Sequence, residues 1–168
     1  MTEPARSISN PAELLNAYLD QYRDTVLRKL DGLSDEELRR SRLPSGWSPL
    51  SMLKHLAYVE LRWLRWGFAA ETIAEPRADR VDETGDFLLG PDETFEEIRT
   101  FFFEQCARSR AIVALANLED VAAVGGQFGP SDDRPTLAWI LFHVLQEYAR
   151  HAGHLDIARE LADNTTGE

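Results

Sequence analysis

Four histidines, confined to two stretches of this 168-residue chain, carry most of its chemical potential. His55 stands alone in the first stretch, while His143, His151 and His154 share the second with Glu147. At about 100° per residue, His143, Glu147, His151 and His154 fall within roughly 80° of one another around a helix. Glu147 and His151 are four apart and project together from successive turns. The rest of that stretch is apolar (Leu137, Trp139, Ile140, Leu141, Val144, Leu145), so the polar stripe either faces water or lines an internal polar site. His55 bears on the choice. Its neighbours at helical spacing are Met52, Val59 and Trp63, which predict a core-facing position. A buried imidazole needs partners at both nitrogens. Two histidines and a glutamate converging inside a bundle would offer three ligands and leave a coordination position open on zinc or a similar divalent ion, an arrangement for chemistry on a bound water or thiol.

Other catalytic templates fit worse. A di-iron bundle needs two Glu-x-x-His pairs, whereas here the spacing is Glu147-x-x-x-His151, and Glu60 follows His55 by five residues on a different face. There is no His-Glu-x-x-His, no cysteine cluster, no Gly-x-Ser-x-Gly, no phosphate loop and no dinucleotide fingerprint. The single cysteine, Cys106, reads as a small core residue.

Four long helical segments are predicted to position these groups. The first runs from about Pro11 to Leu33, capped by Asn10, with Leu14, Leu15, Tyr18, Leu19, Tyr22, Val26 and Leu30 forming one buried face. Ser34 and Glu37 form a capping box for a short helix before Pro44. The second long helix, capped by Ser48 with Pro49 in its first turn, spans Leu50 to Ala70 with Gly67 as its one breaker. Residues 71–92 are polar, with Pro76, Gly85, Gly90 and Pro91, and read as a long surface connection. The third helix opens at Thr94, boxed with Glu97, and continues to about Leu115. A second long connection, Asn117 to Arg134, leaves room for a short extended piece between Asp120 and Phe128; the fourth helix runs from Pro135 to about Ala162. The expectation is an all-α fold: one domain, residues 1–168, built as a four-helix bundle with long loops between helices 2 and 3 and between helices 3 and 4.

Composition narrows the function classes. Hydrophobic residues at 43% and charged residues at 28% are ordinary for a folded domain. A net charge of −11 argues against nucleic acid and anionic lipid as partners. No apolar run is long enough to span a bilayer, and a lone cysteine with no signal-peptide pattern at the N-terminus predicts a cytoplasmic location. Trp63, Trp66 and Phe68 either complete the core or leave a patch for a homodimer.

The segment His143-Val-Leu-Gln-Glu147-Tyr-Ala-Arg-His151-Ala-Gly-His154 resembles the last-helix signature of the DinB-like superfamily of metal-binding four-helix bundles. More narrowly it is similar to the branch of mycothiol-dependent maleylpyruvate isomerases and mycothiol S-transferases. Gly46-Trp47-Ser48-Pro49-Leu50, leading to His55 and Trp63, resembles that branch's second helix. The resemblance implies a DinB-like bundle in which His55, Glu147 and His151 hold a divalent ion, zinc first and nickel or manganese as alternatives. Many relatives carry histidine at the position of Glu147, and the maleylpyruvate isomerase type carries glutamate. It implies a transferase or isomerase that uses a low-molecular-weight thiol such as mycothiol as cosubstrate against a small electrophile. In that reading His154 or Tyr58 would move a proton, and Arg150 and Arg62 would anchor anionic parts of the cosubstrate. The competing readings are a metal-dependent hydrolase on the same site and a non-catalytic, metal-binding stress-response bundle.

Overall fold

Proline and a side-chain cap start the first helix in the computed structural model, which describes residues 3–80 and 87–166. Asn10 accepts the backbone N–H groups of Ala12 and Glu13, and Pro11 opens α1, Pro11–Leu30. The helix stops short of Leu33, because the chain turns out at Asp31 and Gly32 takes a left-handed conformation (φ +79°) that favours glycine. Ser34 then caps α2, Asp35–Arg39, by accepting from the Glu37 N–H.

Reciprocal Ser48–Ser51 capping starts α3, Pro49–Glu60. The helix expected to continue to Ala70 changes character at Leu61 and becomes wider π-helical turns over Leu61–Phe68. Residue periodicity does not distinguish the two, because the hydrophobic pattern continues through the junction. The partners of the displaced carbonyls lie far along the sequence. Trp66 O accepts from the Gln127 N–H at 3.1 Å and Phe68 O from the Ala123 N–H at 2.9 Å. The second long connection therefore docks on the π-helical turns. Gly126 makes that approach, with φ +54° and no room for a Cβ, which would fall 1.9 Å from Trp66 O.

A reciprocal Thr94–Glu97 box opens α4, Phe95–Val113. Thr136 caps α5, Leu137–Asp163, so the helix begins two residues after the expected Pro135, and Asn164 closes it in a left-handed conformation. Regular structure among the described residues is helical throughout. The extended piece expected near residues 120–128 is limited to the isolated bridges Val121–Thr136 and Gly125–Phe128. The stretch of the first long connection around Gly85 and the end of the C-terminal tail lie outside the described residues. No described helix is long and apolar enough to cross a membrane.

Helix α1 lies along α5, α3 along α4, and α3 also meets α5. Leu19, Leu53, Leu56, Phe102, Ile140 and Tyr148 are fully buried between them. Trp63 and Phe68 pack against this core. At its centre is one carboxylate. Glu60, with no exposed surface, accepts from Arg23 Nε at 2.8 Å, Arg23 Nη2 at 3.0 Å and the Tyr148 hydroxyl at 2.9 Å, and Cys106 Sγ lies 3.9 Å away. All four long helices thus meet at Glu60, with α1 contributing the cation, α5 the phenol and α4 the thiol. Burial pushes the Cys106 thiol up to about 12, the state of an inert core residue.

Candidate metal centre

Helix α3 carries His55 and α5 carries Glu147 and His151, and their packing brings the three together. One ligand-type atom from each lies within 4.8 Å of the other two. His55 is almost wholly buried and His151 nearly so, while Glu147 stays partly accessible. Glu147 Oε2 is 3.1 Å from His151 Nε2 and 3.7 Å from His55 Nε2. The adjoining His151 and His55 rings hold the Glu147 carboxyl well below the usual carboxylate range despite its burial.

The outward side of His55 explains its inward side. His55 Nδ1 faces Asp79 Oδ2 at 2.9 Å, and Asp79 Oδ1 accepts from Arg62 Nη1 at 2.5 Å. Burial opposes ionisation of Asp79, yet the hydrogen bond from His55 and the charge of Arg62 keep it below its ordinary value. A carboxylate only accepts, so Nδ1 carries the hydrogen. In the neutral ring, Nε2 then presents a lone pair. That Nε2 is buried without a hydrogen-bond partner, and it points toward the oxygen of another anion. Lone pairs converging in a buried place repel one another unless a proton or a cation lies between them. Burial lowers the pKa of His151, which favours the neutral imidazole that a metal ligand requires. The donor set of two imidazoles and one carboxylate suits zinc or another divalent first-row ion.

The remaining expected residues are placed as follows. His154 Nδ1 is 3.1 Å from His151 Nδ1, with the Trp47 ring 5.6 Å from the His154 ring. His154 therefore touches a member of the cluster from behind. Tyr58 is packed against Phe101 of α4, with ring centroids 5.1 Å apart, and lines a cleft with Lys54 and Glu93. Arg62 is buried on Asp79, while Arg150 is exposed on α5. His143 Nε2 is 3.7 Å from Glu147 Oε1, its ring stacked on Trp139 at 5.3 Å and close to Trp63 at 4.3 Å.

Two participants had no signal in the sequence. Asp79 lies 24 residues beyond His55 in a connection whose polar composition reads as solvated surface. Phe87, from the same connection, stacks on the His55 ring at 4.3 Å. Backbone pairing brings them in: Leu88 N–H donates to Asp79 O at 2.7 Å, and Arg80 bridges to Phe87. The connection thus folds back and closes one wall of the centre.

Compared with known proteins, residues 14–164 match the family model described as Mycothiol-S-transferase. A search of the curated proteins gives no match.

Proposed function

Since the chain belongs to the mycothiol-S-transferase family, we propose that it transfers a low-molecular-weight thiol of the mycothiol type to a small electrophile at a divalent-metal centre held by His55, Glu147 and His151. The observation that carries the metal assignment is the buried, partnerless Nε2 of His55 facing Glu147 and His151. The family match favours thiol chemistry over hydrolysis at the same residues. The whole chain, residues 1–168, is taken as one DinB-like four-helix-bundle domain working in the cytoplasm.

A bound divalent ion, with zinc the first choice, would lower the pKa of a thiol so that thiolate is present at neutral pH. The chain's own residues do the rest. Asp79, steadied by Arg62, fixes the ring and tautomer of His55 so that Nε2 is the free ligand atom. His154 does the same for His151. With Nε2 used as ligand, His151 Nδ1 carries the hydrogen and donates to His154 Nδ1. We therefore assign His154 to positioning, while a proton-moving role for Tyr58 has less support, since its ring faces Phe101. Glu147 supplies the one negative charge among the three ligands and, being partly accessible, marks the side from which thiol and electrophile enter. Trp63, Trp139 and His143 form an aromatic wall beside it. Arg150 stands exposed on the same helix as an anchor for anionic parts of the thiol.

The test is consumption of thiol by the zinc-loaded chain with a chromogenic aryl halide, before and after chelation. Loss of turnover on chelation, restored by zinc, is the expected result. Turnover indifferent to chelator, or hydrolysis of an ester with no thiol requirement, contradicts the reading.

A further inference from the structure

Arginines in this acidic chain commonly meet carboxylates, as Arg23, Arg42, Arg65 and Arg108 do. Two arginines of the connection that follows the π-helical turns are held differently. The Arg77 guanidinium sits 6.0 Å from the centroid of Trp66, and that of Arg80 sits 5.8 Å from the centroid of Phe87. A guanidinium held on an aromatic face keeps its N–H donors in its own plane, available to an acceptor at its edge. Both arginines line one open cleft of about 380 Å³ with Trp66, Glu75, Pro76 and Ala78.

Arg80 Nε is moreover a buried donor without a hydrogen-bond partner. Its ionic neighbour is Asp79 Oδ2 at 3.8 Å, too far for a hydrogen bond. That oxygen already serves His55, and the other oxygen of Asp79 serves Arg62. Two guanidinium groups and one imidazole therefore share one carboxylate. Burial lowers the pKa of Arg62, and the charges of Arg80 and Arg77 add to the shift although Asp79 opposes it. Within the cleft itself the two guanidinium groups of Arg77 and Arg80 stand against one carboxylate, Glu75, and such a surplus of cationic donors is the complement of an added carboxylate. The cleft adjoins the metal centre: Arg80 touches Phe87, which stacks on His55, and Asp79 lies between Arg80 and His55.

We propose that the cleft formed by Trp66, Arg77 and Arg80 is a subsite for a carboxylate group on one of the two substrates. The word substrate rests on the transferase reading; the binding of a carboxylate does not. Arg80 and Arg77 donate to the carboxylate from their guanidinium edges, and the face of Trp66 borders the carbon skeleton behind it.

The test uses the full-length, zinc-loaded chain and succinate as probe, followed through the side-chain Nε–Hε signals of Arg77 and Arg80. A saturable shift of these signals is expected, with affinity about tenfold or more weaker in Arg80→Gln and in Arg77→Gln, as loss of a charge-assisted hydrogen bond requires. Neutral succinamide should leave the signals in place. Absence of a saturable shift, wild-type succinate affinity in both variants, or an equal response to succinamide overturns the proposal. Because this readout needs no turnover, it stands apart from failure of the transferase reading, which is measured on the wild-type chain by zinc uptake and thiol consumption. Where turnover is observed, the source of the carboxylate follows from KM. An Arg80→Gln penalty larger for a carboxylate-bearing electrophile than for its methyl ester assigns the cleft to the electrophile, and a rise in thiol KM assigns it to the thiol. No rise in any of these KM values contradicts the proposal.

Discussion

Asp79 decides how His55 behaves, and it does so from a connection rather than a helix. Its carboxylate takes the Nδ1 hydrogen of His55 and is itself pinned by Arg62. Outer partners of this kind typically govern metal affinity by 10- to 100-fold, roughly. Asp79→Asn should therefore weaken zinc binding by about that factor while the helices stay intact, as competition with a chromogenic chelator would read out; unchanged affinity would mean that His55 needs no such partner. At the cluster itself, Glu147→Gln keeps the shape and one acceptor oxygen but removes the charge. It should bind zinc less tightly and turn thiol over more slowly even at saturating metal, because a more positive centre holds the thiolate more firmly and leaves it a poorer nucleophile. His151→Ala deletes a ligand outright and should be harsher. Wild-type affinity and turnover in Glu147→Gln would shift attention to His143, which faces the other carboxylate oxygen. The polar stripe on the last helix and the core-facing position of His55 were readable from spacing alone. Asp79 and Phe87 were not, because their approach depends on a chain reversal whose backbone pairing leaves no periodic trace in the residues.

The element that sequence periodicity misdescribes is the helix carrying His55. Helical spacing reads straight through Glu60 into Trp63 and Trp66, while the chain widens into π-helical turns at Leu61–Phe68. Such turns recur at functional sites because the extra residue re-aims the side chains that follow. Here they send Arg62 to Asp79 and Trp63 to His143, and their carbonyls dock the connection that holds Gly126. Gly126→Ala tests that docking. It would place a Cβ 1.9 Å from a backbone carbonyl at a left-handed residue, so a loss of at least about 1–3 kcal/mol is expected. For a chain of this size that is a fall in Tm of about 2–4 °C per kcal/mol. An unaltered melt would show that the connection is free to rearrange. Three helix starts, in contrast, were legible residue by residue. Asn10, Ser48 and Thr94 each accept the N–H groups their positions predict, since a cap acts within three residues and needs no tertiary context.

For the molecule as a whole, the same two ligand-bearing helices are tied to α1 and α4 through Glu60. The sequence placed Glu60 on another face from His55 but could not show that Arg23, Tyr148 and Cys106 converge on it, because those partners come from three different helices. Burial alone would raise the pKa of Glu60, but the charge and hydrogen bonds of Arg23 hold it below its unfolded value. A depressed carboxyl contributes stability that is complete above the unfolded value, about 4.3, and is lost as pH falls through the folded value. Acid unfolding should therefore steepen below about pH 4 in the wild type and flatten in Glu60→Gln. That variant should also lose about 3–5 kcal/mol near neutral pH, because Arg23 keeps a buried charge without its main partner; an acid limb of equal slope in both proteins would show that Glu60 does not titrate in this range. The central claim is that the helices held together in this way present one divalent-ion site. Its most direct test is calorimetric titration of zinc into the metal-free full-length chain and into His55→Ala. One ion per wild-type chain is expected, with binding abolished or severely weakened when His55 is removed. Zinc binding of equal stoichiometry and affinity in the two proteins, or none in the wild type, would contradict it.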